Sequence, residues 1–172
     1  MRATFSSYPV VVNCSLDDDR LTLAGLFVET HAGLVAELGR HLEADSGLTG
    51  PWFEVLLRLA RSPDGRLRMS DLARQVVMTP SGLTRAIDRM EEAGLVRRDT
   101  CSTDRRVFYA VLTPKGRRRI EAALPSHLEH IEECFTAHLD AKERAALESS
   151  LRKLRDALRP ESEAGALSGP SC

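Results

Sequence analysis

The chain has almost no excess of charge of either sign: 24 Lys and Arg stand against 25 Asp and Glu over 172 residues, a formal charge of −1. This excludes binding a polyanion by positive charge spread over the whole surface, and leaves only local basic patches for that purpose. No apolar run approaches the ~18 residues of a membrane span, and the N-terminus lacks the charged-then-apolar pattern of a signal peptide. A cytoplasmic protein without membrane contact is expected. The cysteines Cys14, Cys101, Cys134 and Cys172 are widely spaced with no CxxC pair, so no disulfide framework is expected. A Gly-rich phosphate loop, a nucleophile elbow and an HExxH pair are all missing, and the carboxylates are scattered along helix surfaces. These absences argue against an enzyme.

Apolar residues make up 42% of the chain and charged ones 28%, which suits one folded domain with room for tails. The balanced charge total conceals a segregation. Over 17–54 eight acids face only Arg20 and Arg40. Over 97–119 eight bases face only Asp99 and Asp104, and over 66–90 five arginines face Asp71 and Asp88. A basic middle between acidic flanks is the footprint of a polyanion-binding module on a neutral body. The alternative is a solvated surface whose arginines pair with acids in the fold.

Residues 1–16 show no helical period and read as an N-terminal arm. Asp17, Asp18 and Asp19 supply a negative helix start. Ala24, Phe27, His31, Leu34, Leu38 and His41 or Leu42 then recur at spacings of three and four, which predicts a long amphipathic helix to about residue 44. Thr49 and Pro51 open a second helix, with Trp52, Val55, Leu56 and Leu59 as its stripe. A short strand over 66–69 precedes a brief helix capped by Ser70. Thr79-Pro80 opens the next helix, Leu83, Ile87 and Met90 form its inward face, and Gly94 closes it. Strands are expected over 95–98 and 107–112. Thr113-Pro114 starts a long helix, interrupted at Leu124-Pro125, where the proline should kink it. A last helix from Asp140 carries Leu147, Leu151, Leu154 and Leu158, either as an interface seam or as core. Residues 161–172 read as a disordered tail.

This order of elements predicts a mainly α fold with a small β-hairpin: a winged helix-turn-helix lobe over about 51–112 plus a helical dimerisation region, within a domain over 17–160. With Leu83, Ile87 and Met90 inward, Ser81, Arg85, Asp88 and Glu92 fall on the opposite face, flanked by Thr84 and Arg89, with Thr79 at the helix start. The first turns of such a helix reach base edges in the major groove. Arginine makes a bidentate bond to guanine, and Ser and Thr reach phosphates or bases. Asp88 has two readings, acceptor from cytosine or orienter of a neighbouring arginine. The hairpin tip bears Asp104-Arg105-Arg106, and arginine suits a narrow, electronegative minor groove.

Met69-Ser70-Asp71-Leu72-Ala73, the run from Thr79 to Arg98, Asp104-Arg105-Arg106 and Leu112-Thr113-Pro114-Lys115-Gly116 together make the chain resemble the MarR family of bacterial transcription regulators. The resemblance covers about residues 21–159. It implies a homodimer built on the first and last helices, a double-stranded pseudo-palindromic DNA site, and release by a small molecule. It also implies that Asp104 braces the wing and Arg106 enters the minor groove. No cofactor is required. A winged helix that binds protein instead of DNA is the competing class, but that class does not need arginines both on the recognition helix and at the wing tip.

Three sensing chemistries compete. An organic anion or aromatic, as the resemblance implies, would sit near His31, Arg40, Trp52 and Phe53; the histidine and the aromatics read equally as core. Zinc would use His127, His130, Cys134 and His138, which one continuous helix brings within about 80° of one face at ~100° per residue; such ligands cannot all reach one ion without help from Glu133, His41 or another chain. Oxidation would act on Cys101, whose neighbours Arg97, Arg98 and Arg105 favour a thiolate.

Overall fold

The computed structural model describes residues 15–101, 104 and 106–159. All of the arm except Ser15 and Leu16, the tail, Cys14, Cys172 and Arg105 lie outside the described residues. The chain divides into two compact units, Met1–Val35 and Ala36–Cys172.

The described part of the first unit is the start of helix α1 (Asp19–Ser46). Its entry is fixed by Asp18, whose Oδ1 accepts the Arg20 backbone N–H at 2.9 Å and whose carboxylate pairs with the Arg20 guanidinium. Beyond it, Leu21, Leu23, Leu26, Phe27 and Val28 are all more than half exposed. Among the described residues α1 is the one helix long and apolar enough, at a mean hydropathy of 1.3, to cross a membrane by length and composition. Glu29 and Glu37 interrupt it, so the helix holds no uninterrupted apolar run.

In the second unit the end of α1 is followed by α2 (Gly50–Arg61), strand β1 (Arg66–Arg68), α3 (Met69–Gln75), α4 (Pro80–Glu92), β2 (Val96–Thr100), β3 (Phe108–Leu112), α5 (Pro114–Cys134) and α6 (Ala141–Leu158). The three strands form one antiparallel sheet in the order β1-β3-β2, with Leu67 opposite Ala110 and Arg98 opposite Ala110 on the other side. The core joins Val55, Leu56 and Leu59 of α2 to Leu72 of α3, Ile87 of α4 and Ile120 of α5, all at most 1% exposed. Burial at that level stabilises by about 1.5–3 kcal/mol per side chain and holds the helices in register.

Two local expectations need correction. Helix α3 begins at Met69, with Arg68 at the cap position, and Ser70 Oγ turns instead to Asp71. The extended backbone of β1 therefore passes straight into the helix without a hydroxyl cap. Helix α5 runs through Pro125 and ends at Cys134, where Phe135 leaves helical geometry (φ −136°, ψ −67°). Proline removes one backbone donor there, and the contacts of Ile120, Ala123 and Leu124 with the core on the preceding turns carry the helix across that gap. Of the two readings of the last helix, interface seam or core, the core reading finds no support in α6, which has no fully buried residue: Leu147 and Leu151 are half-buried, and Leu154 and Leu158 are exposed. Its start follows local chemistry, since Asp140 and Glu143 form a reciprocal capping box.

Candidate nucleic-acid interface

Helix α4 is positioned by its ends and its buried stripe. Thr79 is extended, and its Oγ1 accepts the Gly82 N–H at 3.1 Å. Pro80 follows, where its missing donor costs nothing. At the other end Gly94 takes φ +71°, and the Leu95 N–H returns to the Met90 carbonyl at 2.9 Å. Only glycine adopts that left-handed conformation without a penalty from its side chain. Leu83, Ile87 and Met90 are at most 2% exposed, which fixes the helix rotation. Thr79, Ser81, Thr84, Arg85 and Arg89 are therefore exposed. Thr84 Oγ1 donates to the Pro80 carbonyl, and Arg85 Nε donates to the Ser81 carbonyl at 3.3 Å. Neither Arg85 nor Arg89 has an acidic partner among the described residues.

Asp88 takes the second of its two roles. Its carboxylate lies 2.6 Å from Arg98 Nη2, on β2. Arg98 Nη1 also donates to Glu91 Oε2 at 3.0 Å, and the Arg98 backbone N–H donates to Glu91 Oε1 at 2.7 Å. Recognition helix and wing are thus joined through one guanidinium. Sequence reasoning missed Arg98 and Glu91; the signal was an acid pair at i and i+3 on α4 facing a basic strand just beyond the turn.

In the wing, the Asp104 carbonyl accepts the Val107 N–H and its Oδ1 accepts the Arg106 N–H, each at 3.0 Å. The acid therefore shapes the tip through the backbone. Arg106 is exposed, and its guanidinium has no partner among the described residues. At the wing base Arg66 lies over the Tyr109 ring at 3.8 Å, and Arg68 Nε donates to the Tyr109 hydroxyl at 3.2 Å. That hydrogen bond raises the Arg68 pKa further above its ordinary value. Cys101 corrects two expectations. It is 2% exposed, packed with Tyr109 and Val111, and held in a disulfide. Burial and oxidation remove the thiolate that neighbouring arginines would have favoured.

The sensing candidates are dispersed. His31 is exposed in the first unit, in ring contact with Phe27. Arg40 is exposed and pairs with Glu37 at 2.6 Å. Phe53 is buried against His127, with ring centroids 4.3 Å apart. Trp52 is half-buried and lines a groove. Of the four candidate metal ligands, His127 is pushed below its ordinary pKa by burial, and its Nδ1 is buried with no hydrogen-bond partner. His130 turns to Asp45, at 2.9 Å, and stacks on His41 at 3.8 Å. The Asp45 hydrogen bond raises the His130 pKa above its ordinary value. Cys134 ends α5, and His138 sits in a separate 3-10 turn. The helix break at Phe135 removes the continuous register that the set required. Among the described residues no three His, Cys, Asp or Glu side chains gather to hold a metal.

A sequence model described as the MarR family matches residues 46–107, the span from the end of α1 to the wing tip. The HTH-type transcriptional regulator YsmB of Bacillus subtilis is 30% identical over 128 residues, 74% of this chain and 86% of that one. The chain belongs to the MarR family. Like other MarR regulators it is a DNA-binding transcriptional regulator with a winged helix-turn-helix. Solved structures of MarR regulators share the architecture. Sco3205 of Streptomyces coelicolor, solved in complex with DNA, is 29% identical with a TM-score of 0.79, covering 88% of this chain and 95% of its own. BpsR of Bordetella bronchiseptica, whose DNA binding is regulated by 6-hydroxynicotinic acid, is 26% identical with a TM-score of 0.69, over 78% and 99% of the two chains.

Proposed function

We propose that this MarR regulator is a cytoplasmic, homodimeric repressor that binds a pseudo-palindromic operator and is released by a small molecule, with no catalytic activity of its own. The observation that carries the DNA contacts is the set Arg85, Arg89 and Arg106, exposed on α4 and the wing tip without acidic partners among the described residues. Ser81, Thr84 and Arg85 read base edges, Thr79 and Arg89 meet phosphates, and Arg106, with Arg105 beside it, enters the minor groove. Occupying a promoter blocks it without any further surface, which favours repression.

The dimer reading rests on exposed apolar faces. Leu21, Leu26, Phe27 and Val28 of α1 and Leu154 and Leu158 of α6 are each more than half exposed. Exposed apolar faces of that kind mark interfaces. Two half-sites a helical turn apart also multiply the few base contacts one recognition helix can make. The release reading draws on BpsR, a relative controlled by a small organic acid.

The test is fluorescence anisotropy on DNA from immediately upstream of the protein's own gene, titrated at two salt concentrations. Tight binding that outcompetes unrelated DNA and weakens steeply with salt is expected. Arg106→Ala should weaken binding to every sequence, and Arg85→Ala should also relax base preference, by about 1–3 kcal/mol at one position. Intact affinity and preference in Arg85→Ala would refute the assignment of the reading face.

A further inference from the structure

Three residues, Val76, Val77 and Met78, join α3 to the Thr79 cap of α4. Val76 is extended (φ −89°, ψ 154°) and 1% exposed, whereas the Val77 side chain beside it is 74% exposed. The peptide group between these two valines is held at both of its polar ends by side chains from outside the two helices. On one side Arg159 Nη2 donates to the Val76 carbonyl at 3.3 Å and, more firmly, to the Arg74 carbonyl at 2.8 Å. On the other the Val77 N–H donates to Glu54 Oε2 at 3.3 Å, while the second oxygen of that carboxylate lies 3.7 Å from Arg58 Nη2. Glu54 belongs to α2, and Arg159 is the first residue past α6, where the chain leaves helical geometry (φ −141°, ψ 65°). With seven residues α3 is short, and the Arg74 carbonyl near its end has no partner within the helix. A cation at that end is favoured by hydrogen bonding and by the helix dipole alike.

We propose that Glu54 and Arg159 are positioning residues for DNA recognition: together they clamp the Val76–Val77 peptide and so fix where α4 starts, and Arg159 ties that point to the end of α6. Neither side chain touches DNA in this role. The peptide plane is rigid and turns only about ψ of Val76 and φ of Val77. A bond at each end blocks that rotation, which is the motion that would swing Thr79 and the first turns of α4, with Ser81, Thr84 and Arg85, relative to α3. One bond comes from α2 and the other from beyond α6, so a displacement of the end of α6 reaches the recognition helix through one guanidinium. The consequence for DNA rests on the assignment of α4 as the reading helix above; the clamp itself does not.

The test compares the full chain with Arg159→Met, Glu54→Met, Glu54→Gln and the double Met variant, on a duplex that the parent chain selects from random sequence. Arg159→Met and Glu54→Met should each bind about fivefold more weakly, the scale of one lost hydrogen bond. The slope of log K against log salt should stay unchanged in Arg159→Met, since no phosphate contact is removed. Glu54→Gln should stay within about twofold of the parent chain, because its amide oxygen still accepts the Val77 N–H. The double variant should lose less than the product of the two single losses, because both bonds hold one peptide. In the free chain the Val77 amide should exchange with solvent about tenfold faster in each Met variant, and by a larger factor than the Ile87 amide in the buried stripe of α4, which reports global unfolding. Unchanged affinity in either Met variant, Glu54→Gln as weak as Glu54→Met, independent losses in the double variant, or Val77 exchange that rises no more than that of Ile87 would each overturn the proposal. A salt slope shallower by about 0.9 in Arg159→Met would make that arginine a phosphate contact and overturn it too. Arg85→Ala on the same duplex separates this proposal from the reading-face assignment. Parent-like binding there refutes the reading face, whereas a loss there with both Met variants unaffected refutes the clamp.

Discussion

Arg98 on the wing strand and Asp88 on the recognition helix meet at 2.6 Å across the Gly94 turn, with Glu91 completing a three-member cluster. Of the two roles its position on α4 leaves open, Asp88 takes that of pairing with a neighbouring arginine. This pairing ties α4 to the wing strand β2.

Removing Arg98 tests that anchor. In Arg98→Ala the two acids face each other without a cation. Because both partners are partly exposed, the loss of folding stability should be about 1 kcal/mol. DNA affinity should fall by roughly fivefold to tenfold, as expected for a loss of about 1–1.4 kcal/mol. Arg98→Lys should restore little, because a point charge on a flexible stem cannot bridge two carboxylates in a fixed fork. Urea unfolding and anisotropy on the same preparations check both numbers.

Arg89 is exposed on α4 and has no acidic partner among the described residues. If it meets a DNA phosphate, Arg89→Ala should lower affinity for all sequences alike. The slope of log K against log salt should then become shallower by about 0.9, the value for one phosphate no longer neutralised. A change in base preference with an unchanged salt slope would place this arginine on a base edge instead.

Gly116 tests the junction of α5 with the turn after α4. A methyl group there would lie 2.0 Å from the Leu95 oxygen and 2.8 Å from Leu112 Cδ1. The Leu95 carbonyl accepts the Thr113 N–H, so it cannot move away without breaking that bond. Gly116→Ala should destabilise by about 1–3 kcal/mol or more, the range for overpacking. Chemical denaturation would show this as a lower midpoint at an unchanged slope.

His130 makes stability depend on pH. Its folded pKa lies above the ordinary value because Asp45 and Glu133 favour the charged ring, with Ser126, His127 and His41 as its other polar neighbours. That contribution is fully present below the unfolded pKa, about 6.5, and is lost as pH rises through the folded value. His127 works in the opposite sense, since its folded pKa is lowered and its contribution is lost as pH falls. Melting temperatures of His130→Gln and the parent chain should therefore differ most below about pH 6.5 and converge at alkaline pH. A gap that stays constant would mean the ring acts by packing alone.

The elements of this protein were readable wherever their signals are local. Thr79-Pro80 at one end and Gly94 at the other bound α4 within a few residues, and Leu83, Ile87 and Met90 fix its rotation, because capping and helical period act over one or two turns. The same holds for the start of α6 at Asp140. Choices among distant partners were not readable. Asp88 selects Arg98 only once β2 pairs with β3 and brings that strand beside α4. Cys101 is buried because Tyr109 and Val111 close over it. Core contacts carry α5 through Pro125, and the break falls at Phe135, which takes His138 out of line with His127 and His130. In each case the deciding contact lies across elements, where packing and burial outweigh the few tenths to one kcal/mol that local propensity supplies. The sequence by itself determined which segments are helix and strand and which arginines α4 displays. Tertiary structure decided which charges are spent on the fold and which stay available to a ligand.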